Sequence, residues 1–219
     1  MGGAGRRGEG LGRRIAAAAA VCLVGLAGAQ PAAGQQLEEY DYANLGVRAL
    51  GVEVIYVDAT QNESTFGLGA KIDLGFLGPG VRVVPRFGFW TADVDGADVD
   101  ALERQLEEVS ELEPGSVNLG AIERSAYVLG VDFQYIAAIS RVSPYVGAGI
   151  DIYALNDDGD AIRGTFLDDV VVTAGASAVG GVQVDVAQNW SVFGEFRATA
   201  VTDASSLGAA FGVYYRWGP

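Results

Sequence analysis

The stretch Phe66-Gly67-Leu68-Gly69-Ala70-Lys71-Ile72-Asp73-Leu74-Gly75-Phe76 sorts its residues by parity. Even positions carry Phe66, Leu68, Ala70, Ile72, Leu74 and Phe76, while odd positions carry three glycines with Lys71 and Asp73. Successive side chains of a strand point to opposite faces, so this segment has one apolar face and one face of glycine and charge. A helix, with its period near 3.6 residues, would mix the two sets.

Seven further segments repeat the design: Arg48–Tyr56, Val81–Thr91, Ser125–Ile136, Ser143–Leu155, Val171–Asp185, Trp190–Ala200 and Leu207–Trp217. In the fourth strand Tyr127, Leu129, Val131, Phe133 and Tyr135 share a face; in the last, Phe211, Val213, Tyr215 and Trp217 do. Most of these runs are roughly 10 to 13 residues long, close to what a tilted strand needs to cross a bilayer. The links alternate in length. Leu77–Gly80, Ala137–Val142 and Ala187–Asn189 are short, whereas Ala92–Arg124 and Asn156–Val170 are long. An up-and-down barrel puts successive links on opposite rims, and outer-membrane barrels keep their periplasmic turns tight. The expected fold is therefore all-β, an eight-stranded antiparallel up-and-down transmembrane β-barrel over residues 46–219, with its N-terminus on the periplasmic side.

A soluble barrel would show the same alternation with the apolar face turned inward. Two features favour the membrane. Glycine crowds the charged face, at Gly67, Gly69, Gly75, Gly130, Gly147, Gly149, Gly175, Gly181 and Gly212, as a cramped lumen requires. Large aromatics gather at strand ends on or near the apolar face, at Tyr56, Trp90, Tyr127, Tyr135, Trp190, Tyr215 and Trp217, in the manner of interfacial girdles.

The first residues read as an export signal. Arg6, Arg7, Arg13 and Arg14 precede the apolar run Ile15–Ala29, which ends in the small residues Ala27-Gly28-Ala29. Cleavage is expected after Ala29, with a second possible site after Gly34; residues 1–29 form the signal peptide and 30–45 a polar, flexible lead-in. The single cysteine, Cys22, lies in the signal and lacks the flanking pattern of a lipoprotein site. Removing the signal takes away four arginines and one glutamate, so a chain of net charge −14 becomes more acidic still. Nucleic acid is excluded as a partner, because affinity for its backbone comes from Lys and Arg displacing counterions.

The glycine-rich face also carries Glu53, Lys71, Asp73, Arg82, Arg86, Asp132, Asp151, Glu195, Arg197 and Arg216, five acidic and five basic residues. Charges in a narrow barrel must be paired or hydrated, since an unpaired buried ion costs several kcal/mol, about 3–5. The expected reading is an ion network filling the lumen, because eight strands enclose an interior just wide enough for side chains; a gated narrow pore is the alternative. No enzyme is expected: the chain has no histidine to serve as a general base near neutral pH. Asp93, Asp95, Asp98 and Asp100 precede Ala101–Val109, a candidate short amphipathic helix, and Asn156, Asp157, Asp158 and Asp160 surround Gly159. Such oxygens suit Ca²⁺, but neither cluster has EF-hand spacing, and both read as solvated charged loops. Neither metal nor cofactor is expected, and the Gly-x-Gly fragments lack the strand-to-helix context of a phosphate loop.

The segments Ser143-Pro144-Tyr145-Val146-Gly147-Ala148-Gly149-Ile150 and Asn189-Trp190-Ser191-Val192-Phe193-Gly194-Glu195-Phe196-Arg197, with the ending Gly212-Val213-Tyr214-Tyr215-Arg216-Trp217, resemble the OmpA/OmpX-like family of small outer-membrane β-barrels. The resemblance covers the chain after the signal as a pattern. It implies that Gly212, Tyr215 and Trp217 form a C-terminal signal read by the barrel-assembly machinery, although here Gly218-Pro219 follow the last aromatic. It leaves no room for the peptidoglycan-binding domain some members carry. The expected function is that of an integral outer-membrane barrel with a structural or surface-interaction role through acidic extracellular loops, the alternative being a narrow passive channel for small solutes. Expected partners are outer-membrane lipid, the assembly machinery and an unidentified loop partner, with the protein itself a monomer.

Overall fold

The structure, a computed structural model, describes residues 45–137, 139–159, 170–201 and 205–217. Residues 1–29, read as a signal peptide, residues 30–44 of the expected lead-in, Asp160 and the terminal Gly218-Pro219 lie outside the described residues. Eight strands follow in order: β1 Leu45–Ala59, β2 Thr65–Gly78, β3 Val81–Asp93, β4 Glu123–Ile136, β5 Val142–Asp158, β6 Val171–Asp185, β7 Trp190–Val201 and β8 Ser206–Arg216. Each pairs antiparallel with the next, and β8 returns to β1 over the register Ala49↔Arg216 to Ala59↔Ser206, closing the barrel. Closure satisfies every strand edge, which a sheet in lipid requires. The strands run up to three residues beyond the ends read from the sequence, because cross-strand pairing continues after the apolar alternation stops.

The apolar faces point outward. Phe66, Leu68, Leu129, Ile150, Phe196 and Phe211 are all more than 60% exposed, an apolar belt far beyond what water-facing proteins show. Aromatics cluster at both margins: Tyr56 meets Phe66 edge-on with ring centroids 5.5 Å apart, and Phe89 lies 4.9 Å from Tyr127. At the opposite margin Tyr215 lies 5.0 Å from Trp190 and 6.3 Å from Trp217. Trp90 is the exception. Paired with Gly67 on the lumen side, it is only 4% exposed and belongs to the interior rather than to a girdle. Glycine at 67 leaves room for the base of that side chain, since a Cβ there would stand 2.8 Å from that of Trp90.

A second departure lies in β2. Gly75 adopts φ +82°, its N–H is donated to Asp73 Oδ1 at 2.7 Å, and the β2–β3 register slips between Lys71↔Arg86 and Phe76↔Arg82. Phe76, read as the end of the apolar face, therefore lies opposite the lumen residue Arg82. Such a bulge suits this point, because Pro85 on β3 has no N–H for the ladder.

The short turns lie at one end of the barrel, here the turn rim, and the long links at the other, the loop rim. The β3–β4 link at the loop rim contains helix α1, Gly96–Val109, five residues longer at its start than Ala101–Val109. Asp95 caps it, accepting the N–H of Ala97 at 3.1 Å, and Asp98 stands in the first turn, where a carboxylate is favourable. Val99, Leu102 and Leu106 recur along one face and pack on Val94, Val117, Leu119 and Ile122 of the same link. Glu107 accepts the N–H groups of Gly115 and Val117 at 2.8 and 3.0 Å, and Glu103 that of Leu119 at 2.8 Å, so the return segment is tied to the helix.

Candidate functional site

The lumen is layered. Nearest the loop rim Trp90, Tyr153, Val57, Val128, Leu155 and Val201 form an apolar cluster. In the half nearer the turn rim Ala49, Phe193 and Tyr214 form a second. Charge is confined mainly between them.

Lys71 of β2 places its Nζ 3.0 Å from Glu53 Oε2 of β1 and 2.6 Å from Glu195 Oε2 of β7. The same Glu195 oxygen accepts the Tyr145 hydroxyl at 2.8 Å, and Glu195 Oε1 accepts Arg197 Nη2 at 3.1 Å. Arg197 reaches across the lumen to grip Asp132 with both prongs of its guanidinium, at 2.8 and 2.6 Å, and also donates to Ser177 Oγ at 3.0 Å. Arg86 donates to Asp151 Oδ1 at 2.6 Å, with its Nε 3.8 Å from Asp132 Oδ1. Seven of the ten residues expected in the lumen thus form one contiguous cluster. Two-pronged pairing of this kind fixes geometry as well as charge.

Arg82 extends the cluster toward the turn rim. It donates to Gln134 at 2.6 Å and Gln183 at 2.8 Å, approaches Asp73 at 3.5 Å, and lies between the rings of Tyr145 and Tyr214 at 5.4 and 5.7 Å. Gln134 in turn donates to Asp132 at 3.4 Å. Arg216 stands apart at the turn rim, paired with Asp185 and donating to Ser191 at 3.3 Å. Within the cluster Lys71, Arg82, Arg86 and Arg197 face Glu53, Asp132, Asp151 and Glu195, with Asp73 as a further carboxylate beside Arg82.

Reading the sequence missed Tyr145, Gln183, Ser177, Ser191 and Asp185. Gln183 and Asp185 share the inward parity of β6, a signal that was there to use; Tyr145 was given no place on either face. Glycines make the packing possible. A Cβ on Gly130 would stand 2.0 Å from Asp151 Oδ1, on Gly149 2.4 Å from Asp132 Oδ1, and on Gly212 2.5 Å from the Phe193 ring. Gly212 therefore faces the lumen, while Tyr215 and Trp217 stand in the outer girdle. At the loop rim Asp157 is held by Arg124 through contacts of 2.6 and 2.7 Å.

Comparison with solved structures finds small outer-membrane barrels. The crystal structure of Neisserial surface protein A matches with a TM-score of 0.51 at 14% identity, over 77% of this chain and 96% of that one. The N-terminal β-barrel domain of Pseudomonas aeruginosa OprF matches with a TM-score of 0.43 at 12% identity, over 78% and 99%. Ail of Yersinia pestis, solved with the heparin analogue sucrose octasulfate, matches with a TM-score of 0.41 at 12% identity, over 78% and 97%. No curated protein matches the sequence. The family described as outer membrane protein beta-barrel domain matches residues 19–216. With that match spanning most of the chain, and a closed eight-stranded barrel wearing an apolar belt, the protein belongs to the outer membrane protein β-barrel domain family and resides in the lipid bilayer of the bacterial outer membrane.

Proposed function

We propose that the protein is a closed, non-catalytic barrel with a structural or surface-interaction role, whose loop rim faces the cell exterior and meets partners through acidic links. The observation that carries this reading is the lumen: its buried charges are paired across strands, and apolar clusters lie on either side of them. An ion path would need a continuous wet column, and opening one here would mean separating several buried pairs at once. The loop rim offers the contact surface, since α1 and its return segment project from the barrel and carry Asp98, Asp100, Glu103, Glu108 and Glu111. Gly212, Tyr215 and Trp217 serve as the signal to the assembly machinery, and the barrel works as a monomer.

The test is single-channel recording of the refolded protein in planar bilayers. Electrically silent insertion is the expected result. Discrete, reproducible conductance steps would overturn the closed lumen in favour of the narrow channel.

A further inference from the structure

Val99, Leu102 and Leu106 lie along one side of α1 at helical spacing, and Val109 continues the same stripe three residues further on. The return segment covers the first three and leaves the fourth open. Val109 is 85% exposed, and Leu112, another three residues along, is 51% exposed; neither belongs to the cluster closed by Val117, Leu119 and Ile122. Among the described residues of this link they are the two large apolar side chains left to solvent. The turn that carries them is well tied. Ser110 N–H donates to Leu106 O at 3.0 Å and Leu112 N–H to Glu107 O at 2.9 Å, while Glu107 itself holds Gly115 and Val117.

The charges around this pair oppose the helix they end. The carbonyl end of a helix is its negative pole and favours Lys, Arg or His in the last turn. α1 has no basic residue there. Glu107 and Glu108 stand in that turn and Glu111 and Glu113 follow it, with Glu108, Glu111 and Glu113 all exposed. Glu111 also holds φ +52°, a left-handed conformation unfavourable for a residue with a Cβ. Local rules broken together in one short segment mark a functional surface. A partner that extends the cover of the stripe must bring apolar side chains to Val109 and Leu112, and positive charge to the carboxylates and the helix end. Anionic headgroups would be repelled, and a metal ion would leave the apolar pair uncovered; among the described residues no three carboxylates stand close enough together to hold one. The chemistry that fits is a basic amphipathic helix, an apolar stripe flanked by Lys or Arg.

We propose that the end of α1, residues 108–113, is a docking knob for a basic amphipathic helix of a partner protein, which lays its apolar stripe on Val109 and Leu112 and its cations on Glu108, Glu111 and Glu113. The inference rests on the surface-interaction reading and adds the place of contact and the class of partner.

The test uses the full chain in phosphatidylcholine nanodiscs and two synthetic peptides of the same lysine and leucine content, one patterned as an amphipathic helix and the other scrambled. Binding is read from backbone amide shifts. The amphipathic peptide is expected to shift the amides of residues 108–113 saturably, and the scrambled one to bind about fivefold more weakly or less. Val109→Ser with Leu112→Ser, and separately Glu108→Gln with Glu111→Gln, should each weaken binding about fivefold or more, while the amides of the barrel strands keep their positions and so report an intact fold. Two peptides that bind alike would reduce the effect to attraction between opposite charges and overturn the knob. So would substitutions that leave binding unchanged, saturable shifts centred elsewhere on the loop rim, or no shift at all. Conductance of the unsubstituted protein would refute the closed lumen, whereas missing shifts in electrically silent protein refute the knob alone.

Discussion

Lys71 has a carboxylate on each side, Glu53 at 3.0 Å and Glu195 at 2.6 Å, in a site only 1% exposed. Replacing one partner of a buried pair leaves its counterpart charged and unpaired, at a cost of about 3–5 kcal/mol. Lys71→Met is therefore expected to lower stability by about that much in urea unfolding from lipid vesicles. Adding Glu53→Gln should recover most of the loss, because Glu195 keeps Arg197 and Tyr145 as partners. Failure of the second substitution to restore stability would show that the lysine matters for packing against Phe193, whose ring centroid lies 4.7 Å away, and not for charge. At this scale the sequence was readable in part. Parity assigned Lys71, Glu53 and Glu195 to one face, but which cation meets which carboxylate depends on the register of strands distant in the chain. Trp90 was misread because an aromatic at a strand end looks the same to a pattern whether it points to lipid or to lumen; only its pairing with Gly67 separates the two.

Among the elements, α1 forms a small unit of its own. Its apolar face is covered by the return segment of the same link, and two helix carboxylates hold that segment through backbone amides. Glu107→Ala removes two of these hydrogen bonds, and the freed amides of Gly115 and Val117 lose their acceptor. External protease should then cut between residues 110 and 122 of intact cells several-fold faster, while the barrel's thermal unfolding stays within a degree or two, a shift corresponding to less than about 0.5 kcal/mol. An equal fall in barrel stability would mean that the link is part of the barrel's own core. The helix was visible in the amphipathic stretch Ala101–Val109, but its first turn was not, since Gly96-Ala97-Asp98 reads as loop until Asp95 is seen to cap it. The strands were more legible than the helix because most of them show their alternation over ten or more residues. The slip at Gly75 was hidden, since a bulge inserts one residue without disturbing composition.

For the molecule as a whole, closure and orientation are the properties to test. Deleting residues 211–219 removes half of β8 and the pairs Val54↔Phe211 to Ala49↔Arg216, which leaves β1 and β7 with unpaired edges in lipid. The truncated chain is expected to lose membrane insertion and the gel shift that distinguishes folded from boiled barrel; retention of both would contradict eight-strand closure. Trp217→Ala should slow assembly and leave the folded state alike, because one girdle anchor is lost and the ladder is not. Orientation is checked on intact cells: protease is expected to cut within residues 94–122, and cutting at the Gly78–Gly80 turn in their place would reverse the barrel. Overall architecture was the most legible property of the sequence, since strand count, link lengths and apolar faces are each written locally.

The central ion cluster takes its charged groups from β1, β2, β3, β4, β5 and β7, and β6 joins it through Ser177 and Gln183; among the described residues β8 lends it no charged group, only the Tyr214 ring against Arg82. Seven staves are thus laced together from within, and the eighth is held by its neighbours' backbones, with Tyr214 and the rim pair Arg216–Asp185 at its far end. Under mechanical load applied at the C-terminus, resistance would therefore be uneven around the wall. Extension should begin with one early event that releases the 11 residues of β8, followed by a much higher force plateau once tension reaches the laced strands.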